Sequence, residues 1–85
     1  MKKNNPKNIR IQYYAFLREE CGCGEESIQT HAQTPRELFE QIKKRYHLEI
    51  SPALLKVALN DEFSSWDAVL KSNDNVMFLP PVAGG

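Results

Sequence analysis

This chain has little of what usually marks chemistry of its own. Among 85 residues there are only two cysteines, Cys21 and Cys23, one residue apart in Cys21-Gly22-Cys23-Gly24. Two thiols cannot complete a four-thiolate zinc or iron–sulfur site. A disulfide between them would be strained and would close almost no loop. Reduced thiols beside a glycine-rich turn are expected, which suits a cytoplasmic protein. Net charge is also missing: 11 basic and 11 acidic residues cancel, which excludes a strong electrostatic grip on nucleic acid or anionic lipid. No apolar run approaches the roughly 18 residues of a membrane span. Lys2, Lys3, Lys7 and Arg10 sit in a polar Asn/Pro stretch with no apolar segment to make it a signal peptide. Nor is there a phosphate-binding loop with its lysine, or zinc-ligand spacing. His31 and His47 lie in polar stretches and read as surface residues. Glu19-Glu20 and Glu25-Glu26 flank a turn with nothing to bury them, so raised acid pKa values are not expected. The reading is a domain with no bound cofactor, no metal and no active site of its own.

What is present is enough for one compact domain. A chain of this length buries only about 60% of the surface its unfolded form exposes, which leaves little room for a deep cavity. Ile9, Ile11 and Tyr13 alternate with Arg10, Gln12 and Tyr14, the pattern of a half-buried strand, here expected over residues 9–16. A short helical turn over 17–21 ends at Gly22 and Gly24. Residues 25–30 read as a strand pairing back on the first. Thr34-Pro35-Arg36-Glu37 combines an N-cap, a proline at the first helical position and a capping-box glutamate. Leu38, Phe39, Ile42 and Tyr46 follow as an apolar stripe, with Lys43, Lys44 and Arg45 in the last turns. A helix from Pro35 to Tyr46 follows.

Val57-Ala58-Leu59 reads as a strand closed by an Asn60-Asp61 turn, with Phe63 and Trp66 in irregular chain beyond it. Ser72-Asn73-Asp74-Asn75 is a turn in which Asn73 or Asn75 accepts positive φ. Val76-Met77-Phe78-Leu79 is the last strand. The fold class is α+β: a mixed sheet of four to five strands packed on one main helix, with the last strand central beside the first. The division is a polar leader outside the fold (1–8), a domain (9–79) and a tail (80–85). Tyr14, Phe16, Met77 and Leu79 would then form an apolar patch at the tail's base, a candidate partner interface. The alternative is their burial under the short helix or the loop around Trp66.

The tail, Pro80-Pro81-Val82-Ala83-Gly84-Gly85, is the most informative segment. Gly84 and Gly85 lack a β-carbon, so a terminus built of them is thin enough to enter a narrow site on another protein. The prolines fix φ and remove donors, favouring an extended stem. Six residues reach about 20 Å at ~3.3–3.6 Å each. The competing reading is a frayed end.

Val76 to Gly85 closely resembles the C-terminus of the small-subunit family of molybdopterin synthase (MoaD). That family ends in a hydrophobic strand, Pro-Pro-Val, a small residue and Gly-Gly. The opening strand followed by Ala15, the Arg18-Glu19 pair, the capped Thr34-Pro35 helix and Val57-Ala58-Leu59-Asn60 also resemble it, in the family's order. The family's frequent Gly-Asp-Glu before the last strand is Asn73-Asp74-Asn75 here. The Cys-Gly-Cys-Gly segment and the polar leader have no counterpart in its pattern. The resemblance implies a ubiquitin-like β-grasp fold and a sulfur carrier. An activating enzyme using ATP and Mg would adenylate the Gly85 carboxylate, and sulfur would replace AMP to give a thiocarboxylate. Gly84 would give clearance, and Pro80, Pro81, Val82 and Ala83 would thread into the large synthase subunit, in a two-plus-two assembly. Sulfur would pass to cyclic pyranopterin monophosphate, with the catalytic side chains on the partner. Alternatives are a ubiquitin-like carrier for thiamin or tRNA thiolation, a ubiquitin-like protein modifier, or a stand-alone enzyme using Cys21 or Cys23.

Overall fold

The computed structural model describes residues 5–80. The first strand, β1 (Lys7–Tyr13), buries Ile9, Ile11 and Tyr13 and turns Arg10 and Gln12 to the other face. It begins two residues before Ile9. Lys7 and Asn8 pair with Thr30 and Gln29, and the Asn8 N–H donates to Ser72 Oγ at 3.0 Å, so part of the polar leader belongs to the sheet. The strand also stops at Tyr13, short of Phe16. Ala15 has φ 55°, which turns the chain, and the Leu17 N–H closes onto the Tyr14 carbonyl at 3.2 Å. Phe16 therefore opens the short helix α1 (Phe16–Cys21), which ends at Gly22 with φ 78°, a left-handed cap that glycine adopts without a Cβ clash.

The second strand, β2 (Glu25–Thr30), returns antiparallel to β1. Helix α2 (Pro35–Tyr46) has the expected bounds. Thr34 is extended at φ −139°, and its hydroxyl accepts the Glu37 N–H at 3.2 Å. The Glu37 carboxylate reaches one residue past the usual capping-box partner and accepts the Gln33 N–H at 2.8 Å. Leu38, Phe39 and Ile42 are fully buried. The helix stops at His47 with φ 58°.

A 3-10 turn (Pro52–Leu54) leads into β3 (Lys56–Leu59). Asn60 and Asp61 carry φ 54° and 73°, the two consecutive left-handed residues of a tight hairpin turn. They return the chain as β4 (Glu62–Ser64), paired antiparallel to β3. Phe63 is thus in a strand rather than in irregular chain; three residues are too few to display an alternation. Asn73 takes the expected positive φ, 77°. Asn60 braces the start of the last strand: its Oδ1 accepts the Asn75 N–H at 2.9 Å and its Nδ2 donates to Asp74 Oδ1 at 2.9 Å.

That strand, β5 (Asn75–Leu79), occupies the centre of a sheet ordered β2-β1-β5-β3-β4. It runs parallel to β1 and antiparallel to β3, the placement expected from sequence. Helix α2 covers one face. Phe39 lies 5.1 Å from Phe78 between ring centroids, and Trp66 stacks on Phe78 at 5.8 Å and 13°. The loop carrying Trp66 therefore packs on the helix side and leaves the other face of the sheet open.

Candidate functional site

The open face derives from strand alternation. Val76 and Phe78 are buried against the helix, so Met77 and Leu79 project the other way. The register places Gln12 beside Met77, Met77 beside Ala58, and Ala58 beside Phe63, in one row across four strands. At the tail end, Tyr14 leaves β1 and Phe16 enters α1 beside Leu79 and Pro80. Together with Leu54 and Phe63 they line a groove of about 880 Å³. It continues past Phe63 and Leu79 into a shallower hollow bounded by Ala58, Asp61 and Met77.

Exposure of these side chains is unusually high for apolar residues: Phe63 75%, Leu54 60%, Phe16 41% and Tyr14 37%. The Tyr14 hydroxyl lies 4.0 Å from Met77 Sδ. Lys56, beside Leu79 in the register, supplies a cation on the groove's edge. An apolar hollow rimmed by charge is the usual form of a surface that another protein covers.

Ala15, on the same groove, has φ 55° and ψ −133°. It occupies the second position of the Tyr14–Leu17 turn, with the angles of a type II′ turn, where glycine is the relaxed choice. Holding a β-carbon there costs on the order of 1–3 kcal/mol.

Tyr14, Phe16, Met77, Leu79 and Pro80 are therefore gathered on one face, whereas Pro81, Val82, Ala83, Gly84 and Gly85 lie outside the described residues. Leu54 and Phe63 belong to the groove without having been read from sequence as site residues. For Phe63 a signal existed: a two-residue Asn60-Asp61 turn sets Ala58 opposite Phe63 and so fixes its face.

The remaining polar residues do not assemble at this groove. His31, His47 and Glu25 are exposed. Glu26 differs from expectation, since it is half-buried. Its carboxylate accepts the Tyr13 hydroxyl at 2.6 Å and the Tyr46 hydroxyl at 2.8 Å. Burial, reinforced by the hydrogen bond to Glu26, raises the Tyr13 phenol far above its ordinary range and pushes Tyr46 up to about 12. Both stay neutral donors, and the cluster ties β1, β2 and the end of α2 together. Cys21 is a buried free thiol and Cys23 is half-buried and free. Burial, then the neighbouring Cys23, pushes the Cys21 thiol up to about 11, which makes it a poor nucleophile. Among the described residues, no three His, Cys, Asp or Glu side chains are grouped to hold a metal ion, and no helix is long and apolar enough to cross a membrane.

The model of the ThiS family matches residues 11–85. A putative molybdopterin converting factor, subunit 1, from Pyrococcus furiosus is 31% identical with a TM-score of 0.76, over 89% of this chain and 99% of that one. A chain of the BexX/CysO complex of Amycolatopsis orientalis is 26% identical with a TM-score of 0.65, over 91% of this chain and 99% of that one. A chain of the complex of subunits 1 and 2 of the molybdopterin-converting factor from Helicobacter pylori 26695 shares the fold, at 24% identity and a TM-score of 0.63, over 92% of this chain and 99% of that one.

Proposed function

The chain belongs to the ThiS family of ubiquitin-like, β-grasp sulfur carriers, and from that premise we propose that it is the sulfur-carrier subunit of a molybdopterin synthase. The observation that carries the pathway is the 31% identity to the Pyrococcus furiosus subunit 1 across nearly all of both chains. Gly85 carries the reacting carbon. A carboxylate is a poor electrophile because neither oxygen leaves readily. An activating enzyme uses ATP and Mg to attach AMP to one of them, with release of pyrophosphate. A sulfur nucleophile then displaces AMP and leaves a thiocarboxylate. The sulfur atom of that group attacks a carbon of cyclic pyranopterin monophosphate in the active site of a large subunit, which supplies the catalytic side chains. An oxygen substituent leaves that carbon, and water then cleaves the carbonyl–sulfur bond, leaving sulfur on the pterin and returning Gly85 as a carboxylate.

This chain's own contribution is mechanical. β5 is held on both sides by β1 and β3, so the stem starting at Pro80 leaves from the best-anchored strand. The groove beside Pro80 docks the partner, and Pro81, Val82, Ala83 and Gly84 span the distance to its active site. Fixing the stem's origin limits the conformations to be lost on insertion and so favours productive binding. The large-subunit partner is supported by the two-subunit Helicobacter complex, one chain of which shares this fold.

Intact-mass measurement after incubation with the cognate activating enzyme, ATP and a sulfur donor tests the chemistry. The expected gain is the mass difference between sulfur and oxygen, located at Gly85. Sulfur on Cys21 or Cys23 with Gly85 unmodified contradicts it. Formation of molybdopterin on adding the large subunit and cyclic pyranopterin monophosphate separates this pathway from thiamin and tRNA thiolation and from protein modification. The groove has its own test. Replacing Phe63, 75% exposed, by aspartate is expected to weaken partner binding about tenfold or more, since a charge would be buried unpaired. The melting temperature should be unchanged. Binding isotherms of wild type and Phe63→Asp against the large subunit decide it.

A further inference from the structure

The backbone at Ala15 poses a question that the proposed function leaves open. The other described residues with positive φ are Gly22, His47, Asn60, Asp61 and Asn73, all types that enter left-handed backbone with comparative ease. Ala15 alone among them is an aliphatic residue with a β-carbon. With ψ at −133° it lies outside the left-handed helical well that asparagine and aspartate tolerate. Glycine would hold the same turn without strain. The only thing alanine adds there is a methyl group.

That methyl gives the folded domain little in return. Ala15 is exposed, so the group is not packed into the core; its surroundings are the groove at the base of the tail. A strained backbone that persists at a docking surface points to a role outside the fold. We propose that the methyl of Ala15 is a specificity-determining contact, covered by an apolar surface of the activating enzyme, which is brought onto the same groove because Gly85 is only five residues beyond Pro80. The inference rests on the proposed function, because it takes an activating enzyme to work on the Gly85 carboxylate, and it gives that enzyme the groove that the large subunit later occupies. It identifies Ala15 as a residue at which fold stability and partner affinity oppose each other.

The test is Ala15→Gly in the full chain, read in two ways. Thermal unfolding is expected to move up by a few degrees as the strain is released, the gain being reduced by the greater freedom of glycine in the unfolded chain. Pyrophosphate release by the cognate activating enzyme, with ATP and Mg, is expected to show KM for the carrier raised about three- to fivefold, the worth of one buried methyl. kcat should be unchanged, since Gly85 is untouched. A raised melting temperature with unchanged KM overturns the inference, because the methyl then contacts nothing on the activating enzyme. A lowered melting temperature also overturns it, because the methyl then supports the fold. Absence of pyrophosphate release with wild type is a separate failure, seen without the variant, and counts against the proposed function.

Discussion

Removal of Gly85 alone is expected to abolish thiocarboxylate transfer while leaving the melting temperature where it was. The two halves of this outcome have different origins. Among the described residues, every member of the buried core lies between Ile9 and Phe78, and glycine has no side chain to add to it, so the melting temperature should hold. What it removes is one residue of reach, about 3.3–3.6 Å, and it presents the carboxylate of Gly84 instead. A displacement of about 1 Å at a reacting centre can already cost on the order of 100-fold in rate, so a full residue places the carbonyl out of range of both the activating enzyme and the large subunit. Adenylation and sulfur transfer are to be assayed separately, alongside thermal unfolding by circular dichroism. Retained transfer by the shortened chain shows that the terminal residue is not the carrier, and a lost unfolding transition shows that the end of the chain is part of the fold.

The opposite pattern is expected for Phe78→Ala, which should lose stability first and function only as a consequence. Phe78 is fully buried and lies against Phe39 at 5.1 Å and Trp66 at 5.8 Å. It also pairs with Tyr13 on β1 and Val57 on β3, so the cavity opens where the helix, the central strand and the Trp66 loop meet. Truncation of a buried phenylalanine costs about 3–5 kcal/mol. A domain of 85 residues has a total stability of about 4–13 kcal/mol at ~0.05–0.15 kcal/mol per residue. The variant should therefore lose between about a quarter and all of its stability. Denaturant unfolding followed by Trp66 fluorescence checks this, since Trp66 is the single tryptophan and stacks on the altered residue. A loss below about 1 kcal/mol would mean that the site collapses without a cavity.

Much of this architecture is legible in the sequence because the decisive signals are local. The helix bounds at Pro35 and Tyr46 follow from Thr34, Pro35 and Glu37 at one end and the cations of the last turns at the other. The facing of β1 follows from Ile9, Ile11 and Tyr13. The central position of β5 and the apolar patch at its end required only that a tail-bearing strand lie beside β1. Where local signals mislead, the structure differs. Tyr14 and Phe16 are residue types that favour a continuing strand, yet the reversal at Ala15 ends it, and nothing in the residue types predicts an alanine at φ 55°. Lys7 and Asn8 look like solvated leader because their pairing partners are in β2. Glu26 reads as an exposed acid because the hydroxyls that bind it lie 13 and 20 residues away. Phe63 escapes because β4 is too short for periodicity to show. The groove is thus half-visible: the residues next to the tail in space by strand order are found, and those delivered by the 3-10 turn and the β3–β4 hairpin are not.

The sheet order β2-β1-β5-β3-β4 has a consequence for biosynthesis. β1 with β2, and β3 with β4, are two hairpins that share no strand until β5 arrives between them. During synthesis at about 5–20 residues per second, a nascent chain that has not yet reached Asn75 has its sheet in two separate pieces, and isolated two-stranded hairpins are marginal in water. A chain interrupted before that point therefore lacks both the end proposed to react and a continuous sheet to carry the groove. Incomplete carriers would remove themselves from competition, because the strand that leads to the terminus proposed to react is also the strand that closes the sheet.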